Sequence, residues 1–411
     1  MIKTVAVVGG GAAGLMASYR AAIGGARVYL FERNSNLGRK ILISGKGRCN
    51  LTNIKEIDEF ITHFPGSGKF LFSSLAALSN RDLIAFFEKL GVKTKVERGG
   101  RVFPESDSSQ DVVKALQKAI IDSGVNIMYK SRAKGFIVEK QRIRGVIFGD
   151  TFEKFYCDSV IVATGGLSYP ATGSTGDGYK FARQMGHTIT ELKPSLVPLI
   201  SMEHWVRELQ GLTLKNVEAA VYVKHKKLAS EFGEMLFTHY GISGPIILTL
   251  SRYIIDYLKD NPWVSINLKP ALTDQELDQR LLKDFCIYKN KFFKNSVKDL
   301  LPKKMIPVFI NYTGIDPEKP VNQISRNDRK RILDCMRSIQ IPISGCREKE
   351  AIVTRGGVSI KEINPKTMES KIIKGLFFAG EVIDIDGVTG GYNLQAAFST
   401  GFVAGCNSVS G

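Results

Sequence analysis

The order of apolar and polar positions predicts a strand, a helix and a second strand at the start of the chain. Residues 4–8 form an apolar run rich in valine, residues 12–23 follow a helical period, and "RVYLF" is a second apolar run that ends before Glu32. Short apolar runs bounded by turns are typical of buried strands, and a helix between two of them favours a parallel pair. The pattern therefore predicts a βαβ unit, the repeating element of a doubly wound α/β fold.

The turn between the first strand and the helix reads "GGGAAG" and matches the glycine spacing of a dinucleotide-binding loop. Gly9 permits the tight turn, Gly11 lets the backbone approach a pyrophosphate, and Gly14 allows the helix to pack closely on the strand. The pyrophosphate would lie at the positive end of the helix, near Ala12 and Ala13. A purely structural glycine turn is the alternative.

Two further segments continue the same fold far downstream. "CDSVIVATGG" reads as a buried strand that ends in Ala-Thr-Gly, and "GLFFAGEVIDIDGVTGG" as a strand followed by a carboxylate and a glycine-rich entry to a helix. With the N-terminal unit, they resemble the three fingerprints of flavoproteins with two dinucleotide-binding domains. The resemblance implies FAD. Glu381 would then bind the ribitol hydroxyls, and the helix that begins near Tyr392 would point its N-terminus at the flavin. In the N-terminal unit, Glu32 can accept hydrogen bonds from a ribose. Gly390 and Gly391 would admit the ring, and the positive helix end would stabilise the anionic reduced flavin.

The middle of the chain predicts an insertion in two parts. "LVPLISM" and "LKNVEAAVYVKHKKLAS" alternate as strands do, whereas residues 274–305 and 327–338 follow helical periods. We therefore expect an α/β, Rossmann-like FAD-binding domain of the glutathione-reductase type at 1–187 and 352–411. A β-rich inserted domain would cover 188–251 and 339–351, and would itself carry a helical, basic domain at 252–338. The insertion has no second strand-bound G-x-G-x-x-G, so NAD(P)H, as the reductant, would dock transiently or through the inserted domain.

The net charge of +17 is larger than most globular enzymes need and indicates a polyanionic partner. Two runs, "YKNKFFKNSVKDLLPKK" and "RNDRKR", together mix cations with Tyr and Phe, as expected where phosphates are gripped and bases stacked. Helices with one solvated basic face are the alternative explanation. The candidate RNA-binding residues are Lys289, Lys291, Lys294, Lys298, Lys303, Lys304, Arg326, Arg329, Lys330 and Arg331.

Composition and spacing argue against several other classes of protein. A hydrophobic content of 44% and a charged content of 24% are typical of a globular domain. The six cysteines include no C-x-x-C pair and the histidines show no ligand spacing, so we expect neither a metal site nor disulfides. No apolar run approaches the roughly 18 residues of a membrane helix, and the first residues lack the pattern of a secretion signal. These patterns predict a cytoplasmic protein that does not associate with membranes.

Four blocks together resemble one family of flavoproteins across nearly the whole chain. They are "GRKILISGKGRCNLTN", "LFTHYGISGP", "VTRGGV" and "GLFFAGEVIDIDGVTGGYNLQAAFSTG", and they are similar to blocks of the BaiN/RdsA (YhiN-type) family of FAD-dependent oxidoreductases. Activities in that family include reduction of a ribosomal RNA uridine to dihydrouridine, reduction of a conjugated double bond in bile-acid intermediates, and oxidation of aminoacetone. The positive charge favours ribosomal RNA, because a steroid or a small amine would not explain it. The alternatives are a small-molecule flavin oxidoreductase, either an ene reductase or an amine oxidase, and a non-catalytic RNA-binding flavoprotein.

The loop "LISGKGRCNLTN" follows Glu32 by about one loop length and would run under the cofactor toward its reactive ring. Its glycines allow close backbone approach, and Lys46 and Arg48 could meet a phosphate or the reduced flavin. Asn50 and Asn53 could hydrogen-bond the polar edge of the flavin. The loop is therefore predicted to join cofactor binding to substrate chemistry.

The proposed chemistry requires a hydride from reduced flavin and a proton from a side-chain acid. Cys49 could be a tuned acid or a packing residue, His239 could be catalytic or structural, and Tyr169 is a further acid. Arg355 could clamp a carbonyl or phosphate, with a structural ion pair as the alternative. The candidate catalytic residues are Cys49, His239, Arg355 and Tyr392. The candidate cofactor-binding residues are Gly9, Gly11, Ala12, Ala13, Gly14, Glu32, Arg33, Lys40, Ser44, Gly45, Gly47, Arg48, Asn50, Thr52, Ala133, Ala163, Thr164, Gly165, Gly380, Glu381, Gly391, Tyr392 and Asn393.

Overall fold

The part of the chain before residue 196 contains both helices and strands. The computed structural model describes residues 2–149 and 153–410. The helices of this part are α1 (Ala12–Ile23), α2 (Arg39–Ile43), α3 (Ile57–Thr62), α4 (Gly68–Ala77), α5 (Asn80–Lys89), α6 (Ser109–Asp122) and α7 (Asp177–Gln184). The strands are β1 (Thr4–Val8), β2 (Arg27–Phe31), β3 (Thr52–Asn53), β4 (Thr94–Glu97), β5 (Arg101–Pro104), β6 (Asn126–Met128), β7 (Ala133–Glu139), β8 (Arg142–Phe148), β9 (Glu153–Tyr156), β10 (Ser159–Val162) and β11 (Lys193–Ser195).

The rest of the chain adds a β-rich section and a return to the first sheet. The helices of the section are α8 (His204–Glu208), α9 (Pro245–Ile254), α10 (Asp274–Ile287), α11 (Ile306–Thr313) and α12 (Arg326–Arg337). Its strands are β12 (Leu199–Ile200), β13 (Thr213–Val223), β14 (Lys226–Thr238), β15 (Gly241–Ser243), β16 (Trp263–Asn267), β17 (Ile339–Pro342) and β18 (Gly345–Cys346). The return consists of β19 (Val353–Arg355), β20 (Leu376–Phe378) and α13 (Tyr392–Ser408).

The chain divides into two compact units. The first unit comprises residues 1–195 and 351–411, and the second comprises residues 196–350. Residues 196–350 of the predicted β-rich and helical inserted domains form the second unit and share one hydrophobic core, whereas residues 188–195 and 351 belong to the first unit. β16 lies inside the predicted helical segment, because "WVSIN" alternates and pairs with β13 and β17.

The first unit is built on a five-stranded parallel sheet in the order β20-β10-β1-β2-β6. Val5 to Val8 of β1 are buried, as expected for a central strand covered on both faces. α13 packs on α1 at close range, since a Cβ on Gly401 would lie 2.3 Å from the carbonyl oxygen of Ala13. The Rossmann-like fold expected from the sequence is confirmed, and the last helix closes it.

The second unit is built on a seven-stranded antiparallel sheet in the order β17-β16-β13-β14-β15-β12-β18. One face of the sheet is apolar and buried, and α9 lies on this face, because a Cβ on Gly233 would lie 2.9 Å from Ile246. Capping boxes fix the starts of α10 and α12, at Thr273 with Glu276 and at Ser325 with Asp328. The inserted β-rich region expected from the sequence is therefore present.

Membrane-spanning potential was examined over the part of the chain that the structure describes. No single helix there is long and apolar enough to cross a membrane. One bent pair, Gly68–Ala77 with Asn80–Lys89, meets the length and composition test only when its two helices are taken together.

Candidate functional site

The turn between β1 and α1 opens into the main cavity of the first unit. Gly9 has φ +109°, and a Cβ there would lie 2.5 Å from the carbonyl oxygen of Ala163. A Cβ on Gly14 would lie 1.8 Å from the carbonyl oxygen of Gly9, whereas one on Gly11 would meet nothing within 4 Å. Gly9 and Gly14 are thus required by packing, and Gly11 leaves open space beside the start of α1.

The cavity extends from this turn to the start of α13. The space inside it, counted together with the open solvent at its mouth, is about 1380 Å³. α1 and α13 both begin at a glycine without a side-chain cap, and residues of both first turns line the cavity. Uncapped N–H groups and positive helix ends favour an anionic ligand. The arrangement suits FAD, whose pyrophosphate the sequence predicts at the start of α1.

Most of the predicted cofactor residues line this cavity. They include the glycine turn and Ala12 and Ala13, the residues that follow β2, Lys40 and Ser44 of the next helix and loop, Ala133, and the ends of β10 and β20. Those lining it are Gly9, Gly11, Ala12, Ala13, Glu32, Arg33, Lys40, Ser44, Ala133, Ala163, Thr164, Gly165, Gly380, Glu381 and Asn393. Gly14, Gly45, Gly47, Arg48, Asn50, Thr52, Gly391 and Tyr392 are not among the lining residues.

Glu32, at the end of β2, is buried and engaged by the protein. Its Oε2 accepts from the backbone N–H of Gly10 at 2.8 Å, and its Oε1 accepts from the backbone N–H and Nδ2 of Asn34 at 2.8 and 2.6 Å. The carboxylate therefore holds the glycine turn to the loop after β2. A ribose hydroxyl that donates to Glu32 would share this carboxylate with Gly10 and Asn34.

Glu381 is the centre of a second polar cluster on the cavity wall. Its Oε2 accepts from Lys40 Nζ at 2.5 Å, and its Oε1 accepts from Ser168 Oγ at 2.7 Å and from the backbone N–H of Thr354 at 2.9 Å. Lys40 also donates to Ser168 Oγ at 2.6 Å. The cluster joins four segments that are distant in sequence, and it fixes the carboxylate that the sequence assigns to the ribitol.

Asp177, which also lines the cavity, binds two arginines. Arg132 donates to both carboxylate oxygens at 2.9 and 3.0 Å, and Arg33 donates to Asp177 at 3.2 Å and to Thr175 at 2.5 Å. The arginines hold the pKa of Asp177 below its ordinary value, although its partial burial acts in the opposite sense. Sequence analysis did not single out Asp177 or Arg132, and the glycine-rich "GSTGDG" segment was the available signal.

The loop of residues 42–53 binds the protein backbone at the start of α13. With its amide oriented so that both ends are satisfied, that is with O and N interchanged, Asn50 accepts from the N–H of Gly391 at 3.0 Å and donates to the carbonyls of Thr52 and Val102, each at 3.1 Å. Asn53 Nδ2 donates to the carbonyls of Gly99 and Gly390 at 2.9 and 3.2 Å. The amides expected at the flavin edge thus hold the glycine entry to α13 in place.

Arg48 is held by carboxylates of its own unit. It pairs with Glu97, donates to Asp107 at 2.7 Å, and lies over the ring of Phe103 at 4.2 Å. The two carboxylates raise the pKa of its guanidinium. The charge expected to meet a phosphate is thus directed toward the β4–β5 hairpin.

Cys49 is fully buried and has φ +60°, an uncommon conformation for this residue. Burial raises the pKa of its thiol to about 12, despite the sequence proximity of two cations. The expected tuning by Lys46 and Arg48 is absent, since Lys46 is exposed and Arg48 is paired. The environment is that of a packing residue.

The other candidate acids are dispersed. Tyr392 is buried, with its ring stacked on His63 at 4.2 Å and against Phe60 at 4.8 Å. Tyr169 is half-buried and lies 5.8 Å from Lys40 Nζ. His239 belongs to the second unit, where it is exposed and edge-on to Tyr240 at 4.8 Å.

Arg355 lies in β19 of the first unit, half-buried and paired in register with Lys193. His63 was of interest in the sequence only as a possible metal ligand. Its ring stacks on Tyr392, the first residue of α13. Its Nδ1 lies 2.9 Å from the carbonyl oxygen of Glu59, and burial lowers its pKa. In the described ranges, 2–149 and 153–410, no cluster of metal ligands is found.

The ten candidate RNA-binding residues, all in the second unit, differ in their environments. Arg329 pairs with Asp278 at 2.6 Å, Lys294 pairs with Glu318 at 2.8 Å, and Lys304 donates to the carbonyl of Gln210 at 2.5 Å. Lys291 and Lys298 lie 5.9 and 5.0 Å from the ring of Tyr288. The remaining five are exposed and form no ion pair with another described residue; they are Lys289, Lys303, Arg326, Lys330 and Arg331.

The sequence matches one family model across almost its full length. The HI0933-like protein Rossmann domain matches residues 3–407. A 3-dehydro-bile acid delta(4,6)-reductase from Clostridium scindens is 33% identical over 98% of both chains. Ribosomal RNA dihydrouridine synthases are 32% identical in Escherichia coli, over 96% of this chain and 95% of the relative, and 32% identical in Haemophilus influenzae, over 96% of both.

Solved flavoenzymes have the same fold at low sequence identity. An open flavocytochrome c3 fumarate reductase superposes with a TM-score of 0.53 at 19% identity, covering 99% of this chain and 78% of the other. A 3-ketosteroid delta1-dehydrogenase from Sterolibacterium denitrificans gives a TM-score of 0.54 at 13% identity, covering 99% and 100%. At these identities the likeness establishes the fold alone.

Proposed function

The chain belongs to the HI0933-like family of Rossmann-domain proteins, and from that premise we propose that this FAD-dependent oxidoreductase reduces a uridine of ribosomal RNA to dihydrouridine. The family assignment alone leaves the substrate open, because the similar proteins include a bile acid reductase as well as the two RNA enzymes. The choice rests on features of this chain.

The observation that carries the proposal is the set of exposed cations in the second unit that form no ion pair with another residue the structure describes. Lys330 and Arg331 are both exposed on α12, and Arg326, one helical turn before Lys330, is exposed as well. Neighbouring cations without carboxylate partners are suited to a phosphate backbone, which they can neutralise with release of counterions. The net charge of +17 agrees with such a partner, although most of the positive excess lies in the first unit.

Bound FAD would supply the hydride, and NAD(P)H would restore it as a transient reductant. The residues described above would hold and orient the cofactor: the start of α1 at its pyrophosphate, and Glu381, fixed by Lys40 and Ser168, at its ribitol. A proton donor needs access to substrate. Of the candidate acids in the first unit, Tyr169 is half-buried, whereas Cys49 and Tyr392 are buried, so we favour Tyr169 among these three.

A small-molecule ene reductase is the second candidate, because the bile acid reductase is 33% identical over nearly the full chain. It requires no basic surface, so the two candidates differ in their need for the cations of α12. An enzyme of this second kind would keep full turnover after those cations are reversed.

Deletion of the gene, followed by mapping of dihydrouridine in ribosomal RNA, tests the proposal directly. We expect one or more uridines to lose the modification, and expect the purified enzyme with NAD(P)H to restore it on RNA from the deletion strain. An unchanged dihydrouridine profile would reject the RNA substrate. Reduction of a conjugated 3-oxo bile acid by the same preparation would then support the second candidate.

A further inference from the structure

The seven-stranded sheet of the second unit has an outer face opposite to its core. Residues paired across antiparallel strands project from the same face. Val221, Val264 and Ile341 are paired and buried, which identifies the core face. The next residues in the same strands, Tyr222 and Trp263, therefore project outward.

Three aromatic rings project from this outer face. Tyr222 and Trp263 are a cross-strand pair whose rings are nearly parallel, with centroids 5.4 Å apart and an interplanar angle of 6°. Phe232 is paired with Glu218, four residues before Tyr222 on β13, and its side chain is 55% exposed. At about 3.3 Å per residue the two aromatic positions are separated by about 13 Å along the strand.

The surface between the rings carries only small side chains, two of them serines. Ala220, Ser230 and Ser265 form the cross-strand row between them and carry only small side chains. Planar ligands can therefore reach the sides of the rings without displacing a bulky side chain. An exposed phenylalanine and a stacked aromatic pair on one sheet face are suited to unpaired bases.

The turn between β13 and β14 adds positive charge beside the aromatic pair. It reads "KHKK", and Lys224 and His225 have φ +47° and +65°, which directs the chain sharply back. Lys224 pairs with Asp260 at 2.8 Å and Lys227 lies 3.5 Å from Glu218, whereas Lys226 is exposed and forms no ion pair with a described residue. The His225 ring contacts Trp263 edge-on at 5.5 Å.

We propose that this outer face binds an unpaired segment of RNA, with bases against Phe232 and the Tyr222–Trp263 pair and phosphates at the basic turn. The inference rests on the proposed RNA substrate and adds a surface outside the basic runs considered above. A single strand fits better than a second copy of this chain, because a second copy would bring a like-charged turn toward the first. It also fits better than duplex RNA, whose bases are not available for stacking.

Anisotropy titrations of the FAD-loaded enzyme test the surface, with a short unstructured RNA oligonucleotide and a blunt duplex of the same sequence as probes. We expect Phe232→Ala and Lys226→Glu each to weaken binding of the single strand at least about fivefold, and to leave duplex binding within twofold. Phe72→Ala is the matched control, since Phe72 is an exposed phenylalanine, 49% exposed, in the first unit. FAD absorbance and melting temperature should be unchanged in all three variants.

The outcomes separate the surface from the substrate. If wild-type enzyme binds and reduces RNA but both variants bind the single strand as wild type does, the surface is rejected and the proposed function stands. If wild-type enzyme binds neither probe and leaves ribosomal RNA unreduced, the proposed function itself fails. Concentration-dependent dimerisation that Phe232→Ala abolishes would overturn the assignment in favour of a second copy.

Discussion

Nζ of Lys40 lies 2.5 Å from Oε2 of Glu381, although the two residues are 341 positions apart in sequence. The pair links the helix after β2 to the turn after β20, and Ser168 bonds both partners. The ion pair and Ser168 therefore connect three separate segments of the cavity wall.

We predict that Lys40→Met weakens FAD binding roughly tenfold, the effect expected when a charged hydrogen bond to a carboxylate is lost. Lys40→Arg should retain most of the affinity, because it keeps the charge near Glu381. Titration of apoenzyme with FAD gives both values. Equal dissociation constants for wild type and Lys40→Met would show that the pair does not contribute to cofactor binding.

Gly391→Ala is predicted to destabilise the first unit by about 1 to 3 kcal/mol, because φ is +99° and a Cβ would lie 2.4 Å from the carbonyl oxygen of Thr52. Gly66→Ala is the control, since Gly66 has φ +89° but open space around its Cβ. The difference between their urea midpoints isolates the contact with Thr52 from backbone strain. Similar midpoints for the two variants would contradict the steric argument.

The pH dependence of stability should include a contribution from His63. Burial lowers the pKa of His63 in the folded protein below 6.5. As pH falls below 6.5, the unfolded chain therefore binds more protons than the folded chain does. This contribution to stability is present above pH 6.5 and is lost as pH falls through the folded pKa. His63→Phe keeps a ring beside Tyr392 and removes the titration. Its melting temperature, measured from pH 8 to pH 5, should fall less than that of wild type.

Alkylation is predicted to distinguish the cysteines. Burial raises the pKa of Cys49 and of Cys157 to about 12, whereas Cys286 is exposed. At pH 8 iodoacetamide should label Cys286 in native protein and leave Cys49 unlabelled, as peptide mass spectrometry can show. Cys49→Ala should also retain turnover. Labelling of Cys49 at the rate of Cys286 would show that its thiol is accessible and reactive. Loss of substrate reduction in Cys49→Ala, with flavin reduction intact, would support Cys49 as the proton donor.

Replacement of both Lys330 and Arg331 by glutamate is predicted to weaken binding to a ribosomal RNA fragment. It should also make the affinity for that fragment less dependent on salt concentration. Each phosphate contact contributes about 0.7 to 0.9 to the slope of log affinity against log salt. Reversal of Lys361 and Lys366, exposed in the first unit, provides a control of equal charge. A slope that falls equally in both double variants would indicate nonspecific attraction.

The sequence was sufficient for the Rossmann-like fold because its signals are local. Glycine spacing, apolar runs and the acidic residue at the end of β2 each depend on a few neighbouring positions. The roles of Arg48 and Asn50 were not predictable in this way. Its residue type suggests that Arg48 meets a phosphate or the reduced flavin, but it pairs with Glu97 and Asp107, which lie far along the chain. Asn50 meets Gly391 only because the folded chain brings β3 against α13.

The second unit was harder to anticipate. "WVSIN" is too short to stand out beside a helical stretch, and it becomes a strand because β13 and β17 flank it. The outer ring pair Tyr222 and Trp263 depends on that register, so neither residue could be recognised from spacing alone.

The position of β20 and α13 at the end of the first unit has a consequence for synthesis. The parallel sheet needs Leu376–Phe378, and α1 needs the face of α13, before either is complete. The N-terminal glycine turn therefore leaves the ribosome long before its helical partner, with residues 196–350 made in between. The cavity wall is complete only once the first turn of α13 has been made, so we expect FAD to load late in synthesis or after it.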